Sequence, residues 1–257
     1  PTFDYDRLPD PLVEHADNKR LPMRLRDARD IYLKLSKHNI DSDDKASRLE
    51  RLRNRYGRVM NAERELLDQL DNPSVLFLSL RQSPIRTVDG VREWIRPVRL
   101  CTELSESWSA IAQMLRRKLS GYDRYEYVRT TGYTDNSATP HYHIMIYVED
   151  PCDQLQPDVG ESLVDSFVRG NDFASHENHS VDSHERGASI LKHQIPLVDN
   201  NSTFLKYSLS QNPHWILSER ENRNESSVDS TKIDAGTISW SSPYRDYSSS
   251  KEFPDGV

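Results

Sequence analysis

The triplet His141-Tyr142-His143 combines residue types and spacing that could do metal chemistry. It opens the stretch His141 to Val148, HYHIMIYV, which reads as a strand. Alternate side chains of a strand share a face, so the two imidazoles project side by side from a rigid support. That is a two-ligand metal platform. Tyr142, Ile144, Ile146 and Val148 fall on the opposite face, where a core would hold them. Paired histidines on a strand also occur as surface or hydrogen-bonded core residues. Here Pro140 constrains the start of the strand, and the residues beyond are strongly apolar. A bound ion would need a further oxygen or nitrogen donor. Glu126, on the partner strand of the presumed hairpin, is the first candidate, followed by Asp135 in the intervening loop and by Glu103.

A second chemical group lies downstream. Tyr207 falls in a short expected helix, Ser202 to Gln211, with Lys206 beside it and Gln211 one turn on. A tyrosine in an amphipathic helix is ordinarily a packing residue. To act as a nucleophile it must lose its proton near the moment of attack, helped by a metal, a base or a cation. Lys206 could lower its pKa or hold a phosphate, although adjacent helix positions do not face each other.

The elements that must position these groups fall into three regions. Residues 1–72 read as helical after an irregular start, with Leu25, Ala28, Tyr32 and Leu35 and then Leu49, Leu52, Tyr56, Val59, Leu66 and Leu70 recurring at helical spacing. Glu63 interrupts the second stripe. Arg48, Arg51, Arg55 and Arg58 lie on the outward side of that helix and are candidates for contacting nucleic acid, as are Arg81 and Arg129 further on. Residues 73–215 mix strands and helices. Ser74 to Arg81 is nearly continuously apolar, as for a strand buried on both faces. Asp89-Gly90 marks a hairpin turn within 85–99. Trp108, Ile111, Leu115 and Leu119 mark a helix ended by Gly121, and Arg124 to Thr131 forms a strand joined to the histidine strand by a polar loop. Residues 159–168 are expected to be helical and 170–200 irregular. Residues 216–257 are polar and are expected to form a tail with a strand at most.

Composition narrows the classes. The chain of 257 residues is 35 % hydrophobic and 29 % charged, with net charge −7. No apolar run approaches the ~20 residues of a membrane helix, and no signal-peptide pattern appears, so a cytoplasmic protein without a membrane partner is expected. Two isolated cysteines make neither a disulfide framework nor a thiolate zinc site. The charge is uneven: Lys19–Arg58 holds thirteen Lys and Arg against six acids, whereas Glu149–Ser189 holds ten acids against two Arg. A basic segment in an acidic protein is an arrangement that can face DNA. Arg outnumbers Lys 25 to 9 and Asp outnumbers Glu 25 to 16, a bias that suits a high-salt cytoplasm.

The order FLSLR (Phe77–Arg81), HYH (His141–His143) and FLKYSLSQ (Phe204–Gln211) resembles the HUH endonuclease superfamily, whose members carry an apolar strand motif, a His-hydrophobic-His strand and a tyrosine helix. The block ESWSAIAQMLRRKLSGYDRYEYVRTTGYTDNSATPHYHIMIYVED looks like that of rolling-circle replication initiators of haloarchaeal plasmids and viruses, and the resemblance covers roughly residues 73–215. It implies an α+β fold with a central antiparallel sheet flanked by helices, an RRM-like palm, preceded here by the N-terminal helical region. It also implies Mg2+ or Mn2+ on His141, His143 and a carboxylate. Tyr207 would nick and rejoin single-stranded origin DNA through a 5′-phosphotyrosine, in partnership with host replication machinery. Three features depart from the pattern. Tyr142 is more polar than usual, the preceding strand ends RTTG without a carboxylate, and the tyrosine helix has Ser210, not Lys, three residues after Tyr207 and Thr203 where a second tyrosine would be. A relaxase or single-strand transposase of the same superfamily, or a non-catalytic nucleic-acid-binding protein, would share several of these features.

Overall fold

The computed structural model describes residues 13–14, 22–23, 28–30, 32–33, 48–95, 97–134, 139–171, 174, 193–194, 209, 212–215, 230–241 and 247–254. Two-residue strands β1 (Val13–Glu14) and β2 (Pro22–Met23) pair with each other. Helix α1 (Arg48–Gln69) leads into β3 (Pro73–Arg81), the hairpin β4 (Ile85–Val88) and β5 (Val91–Trp94), and helix α2 (Pro97–Lys118). Then come β6 (Tyr125–Tyr133), β7 (Pro140–Glu149), α3 (Pro157–Arg169), β8 (His193–Gln194), a 3-10 turn at Pro213–Trp215, α4 (Ser230–Ser241) and β9 (Tyr247–Ser249). The architecture is α+β. Its antiparallel sheet has the order β8-β3-β7-β6-β9, with the histidine strand at the centre.

Strand alternation sorts the side chains of β7 onto two buried faces. Tyr142, Ile144, Ile146 and Val148 join Leu76, Leu78 and Leu80 of β3 under α2 and α3. Met145 and Tyr147 join Val75, Phe77 and Val128 under α1, with Leu209, Tyr247 and Phe253 completing that layer. Burial on both faces explains why β3 and β7 read as unbroken apolar runs. The Asp89-Gly90 turn forms as expected, both residues taking positive φ (51° and 81°) with Val88 opposite Val91. Helix α2 begins at Pro97, inside the stretch assigned to the hairpin, and α3 covers the helix expected at 159–168.

Helix α1 of the N-terminal helical region packs on the sheet, Val59, Leu66 and Leu67 being core residues of its lower layer. One segment differs from the sequence reading. The segment after 216 is not simply a tail. It supplies α4, the edge strand β9 and the buried Phe253. Asp234 of α4 also accepts a hydrogen bond from Arg29 Nε at 2.8 Å. Polar composition hid these elements, since α4 is small-residue rich and β9 is only three residues long.

Glu63, the interruption in the helical stripe, is buried and accepts a hydrogen bond from Tyr147 Oη at 2.5 Å. Burial, then the Glu63 charge, raises the Tyr147 pKa well above the usual tyrosine value, so it stays the donor. Removing the donor alone leaves a buried carboxyl short of a partner, whereas replacing both groups with apolar ones removes the unmet demand. Tyr147→Phe is expected to cost about 1–3 kcal/mol in urea unfolding, and adding Glu63→Leu to it should recover most of that loss.

Candidate functional site

The site is built on the register of three strands. His141 lies between Arg81 of β3 and Gly132 of β6, and His143 between Ser79 and Thr130. Directly opposed residues share a face, so these six positions form one patch on the α1 side of the sheet. The ring of Phe77 stacks on His143 with centroids 5.2 Å apart and planes at 21°. The FLSLR strand thus braces the second imidazole.

The two Nε2 atoms lie 3.0 Å apart. His141 Nδ1 is 3.3 Å from the Thr139 carbonyl oxygen, which can only accept. Its proton is therefore assigned to Nδ1, leaving an Nε2 lone pair aimed at His143. His143 is buried, and burial followed by the His141 charge holds its pKa well below the ordinary histidine value. It is a neutral imidazole. Two nitrogens each about 2.1 Å from one ion at a right angle would be about 3.0 Å apart, so the pair fits as two neighbouring ligands of an octahedral cation. Nitrogen donors suit Mn2+ better than the oxygen-seeking Mg2+.

Gly132 is a further part of this site that the sequence reading missed. A Cβ at 132 would meet His141 Nε2 at 2.7 Å and His143 Nε2 at 3.1 Å. The RTTG departure from the expected carboxylate pattern places the smallest residue where the imidazoles need room. The signal was present in the hairpin: with Tyr133 and Pro140 paired at the loop, the next residue in on one strand must face the next on the other.

The other named residues separate clearly. Glu126 faces Tyr147, four residues beyond the partner of His143, or about 13 Å along the strand. It is buried near Arg124, and desolvation raises its pKa. It does not join the histidines. Glu103 lies on α2, which covers the opposite face, and is paired with Arg86 and Arg99. Among the described residues no cluster of three His, Cys, Asp or Glu side chains is assembled. Asp135, Lys206 and Tyr207 lie outside the described residues. Leu209, two positions after Tyr207, is buried in the layer on the histidine face.

Of the arginines, Arg81 stands directly across from His141. Arg58 is exposed on α1, and Arg55 is half-buried there. Arg48 and Arg51 occupy the first turn of α1, and their side chains lie outside the described set. Arg129 corrects the expectation of a DNA contact. It is opposite Ile144, hence on the other face, and its guanidinium carbon sits 4.4 Å from the Trp108 ring centre and 4.6 Å from that of Tyr142. It is a buried cation–π residue.

No family model matches the chain, and neither a curated protein nor a solved structure matches it. No described helix is long and apolar enough to cross a membrane.

Two outcomes test this geometry. Gly132→Ala should lower Mn2+ affinity by about 10–100-fold in calorimetry, the scale of changes to groups that touch metal ligands, while circular dichroism keeps the native profile. The pH response follows from the neutral His143. With its folded pKa below the unfolded value, the unfolded state takes up the extra proton as pH falls below about 6.5, so stability rises with pH through that window. In chelator, wild-type unfolding free energy should fall by up to about 1.4 kcal/mol per pH unit below 6.5 relative to His143→Gln.

Proposed function

We propose that this chain is a replication initiator of the HUH type, an RRM-like palm that nicks and rejoins single-stranded origin DNA. The observation that carries the reading is the 3.0 Å Nε2 pair at the centre of an antiparallel sheet, with Arg81 directly across from it. His141 and His143 would hold the divalent ion, Mn2+ or Mg2+. The ion when bound offsets charge on the oxygens of the scissile phosphate. Gly132 leaves the imidazoles room, Phe77 fixes the ring of His143, and Arg81 faces the same phosphate as a cation.

Tyr207 is the proposed nucleophile, assisted by Lys206. Its Oη forms a bond to phosphorus as the bond from phosphorus to O3′ breaks, and the phenolic proton ends on the released 3′ oxygen. The 5′-phosphotyrosine keeps the bond energy, so a later 3′-OH can reverse the step and reseal the strand. Hydrolysis would dissipate that energy, which is why a tyrosine suits this task better than water. The free 3′-OH can prime host replication machinery. Support for Tyr207 comes from the motif order and from Leu209, two positions later, which is itself buried in the layer on the histidine face.

Wild type incubated with Mn2+ and labelled single-stranded origin DNA at high salt should give a covalent adduct on a denaturing gel. Tyr207→Phe and chelator should each abolish it, and His141→Ala should reduce it at least as much as the roughly 100-fold loss seen at the upper end for outer-shell changes. Cleavage persisting unchanged in His141→Ala would remove the metal site from the mechanism.

A further inference from the structure

A cleft opens beside the histidine patch, between α1 and the β6–β9 edge, with Arg55, Tyr56, Thr130, Leu209, Asn212 and Tyr247 in its walls. Thr130 is directly opposite His143, so the cleft adjoins the metal pair. Two of its polar groups are incompletely used. The Thr130 hydroxyl is buried, the residue being only 4 % exposed, and has no hydrogen-bond partner among the described residues. The Nε of Arg55 is likewise buried and without an acceptor. A desolvated donor left without an acceptor is costly, more so when charged. Among the described residues no carboxylate is in the cleft wall, and the buried Glu63, which acts electrostatically on Tyr56, already accepts a hydrogen bond from Tyr147. A guanidinium and a hydroxyl donor in the walls of one cleft are complementary to an anion, and a guanidinium matches the paired oxygens of a phosphate. Tyr56, edge-on to Trp215 with centroids 5.9 Å apart, adds an aromatic wall of the kind on which bases stack.

We propose that this cleft seats a backbone phosphate of the DNA single strand, held by Arg55 and Thr130, next to the phosphate that the histidine pair addresses. The inference rests on the single-strand reading of that pair. It assigns Arg55 a role distinct from that of the exposed Arg58: Arg55 positions the strand at the site, whereas Arg58 contributes diffuse charge.

The test is fluorescence anisotropy of a labelled 20-nucleotide oligothymidylate in chelator, across a series of KCl concentrations. Wild type should bind. Arg55→Gln should bind about 10-fold more weakly and lower the slope of log affinity against log salt by about 0.7, the value for one phosphate on a single strand. Thr130→Val, close in shape, should weaken binding by about 5-fold with the slope unchanged, since it removes one hydrogen bond. Arg64→Gln, an exposed position on the same helix, should bind as wild type does. If Arg55→Gln loses its native circular dichroism, Thr130→Val decides the question alone. Wild-type binding with both cleft variants unchanged overturns the subsite and leaves the nicking site standing. Failure of the wild type to bind the 20-mer at the lowest salt overturns both.

Discussion

Strand β7 is hydrogen-bonded along its length to β3 on one side and β6 on the other, and that double pairing dictates which side chains can meet. Because the side-chain period is two, a slip of one residue would send both imidazoles into the layer under α2 and bring Tyr142 and Ile144 to the α1 side. The apolar residues on both faces make such a slip costly, at roughly 1.5–3 kcal/mol for each large side chain displaced from the core. The chemical patch is therefore held in register by residues with no chemistry of their own. Leu76, Leu78 and Leu80 on one face, with Val75 and Phe77 on the other, keep Ser79 and Arg81 opposite the histidines.

The same register shows how far a reader of the sequence could go. Alternation alone put His141 and His143 on one face and Tyr142, Ile144, Ile146 and Val148 on the other, and the apolar run of β3 identified its burial on both sides. Glu126 was assigned to the correct strand, and by parity it shares the histidine face, but it stands at the far end. His141 is the second residue of its strand from the loop, so its partner had to be the second from the loop on the other strand, and that residue is Gly132. Arg129 failed for a related reason. Its face depends on the residue it opposes, and a surface role for arginine was assumed where Trp108 and Tyr142 both lie against its guanidinium. Helix α4 and strand β9 were illegible because their burial comes from long-range packing, not from a local apolar period.

Glu63 illustrates a second limit. In the helical stripe of α1 it looks like a flaw, since a carboxylate at a core position is costly unless it is paired. Its partner Tyr147 is 84 residues away, on the strand that carries the histidines. The pair ties α1 to the back of the site at one defined angle, because a short hydrogen bond is directional where apolar contact is not. Arg55 and Tyr56 sit two turns earlier on that same helix, so their approach to Thr130 is set partly by this buried bond.

Strand β9 has a consequence for biogenesis. The histidine hairpin is complete once Glu149 has been synthesised, yet Tyr247, which pairs with Thr130 and closes one wall of the cleft, comes almost a hundred residues later. At about 5–20 residues per second, a nascent chain spends roughly 5–20 s with its imidazole pair formed and its edge strand missing. During that interval β6 is an unpaired sheet edge that any extended segment can occupy. The late strand is thus both the last wall of the site and the seal that ends the chain's exposure to its neighbours on the ribosome.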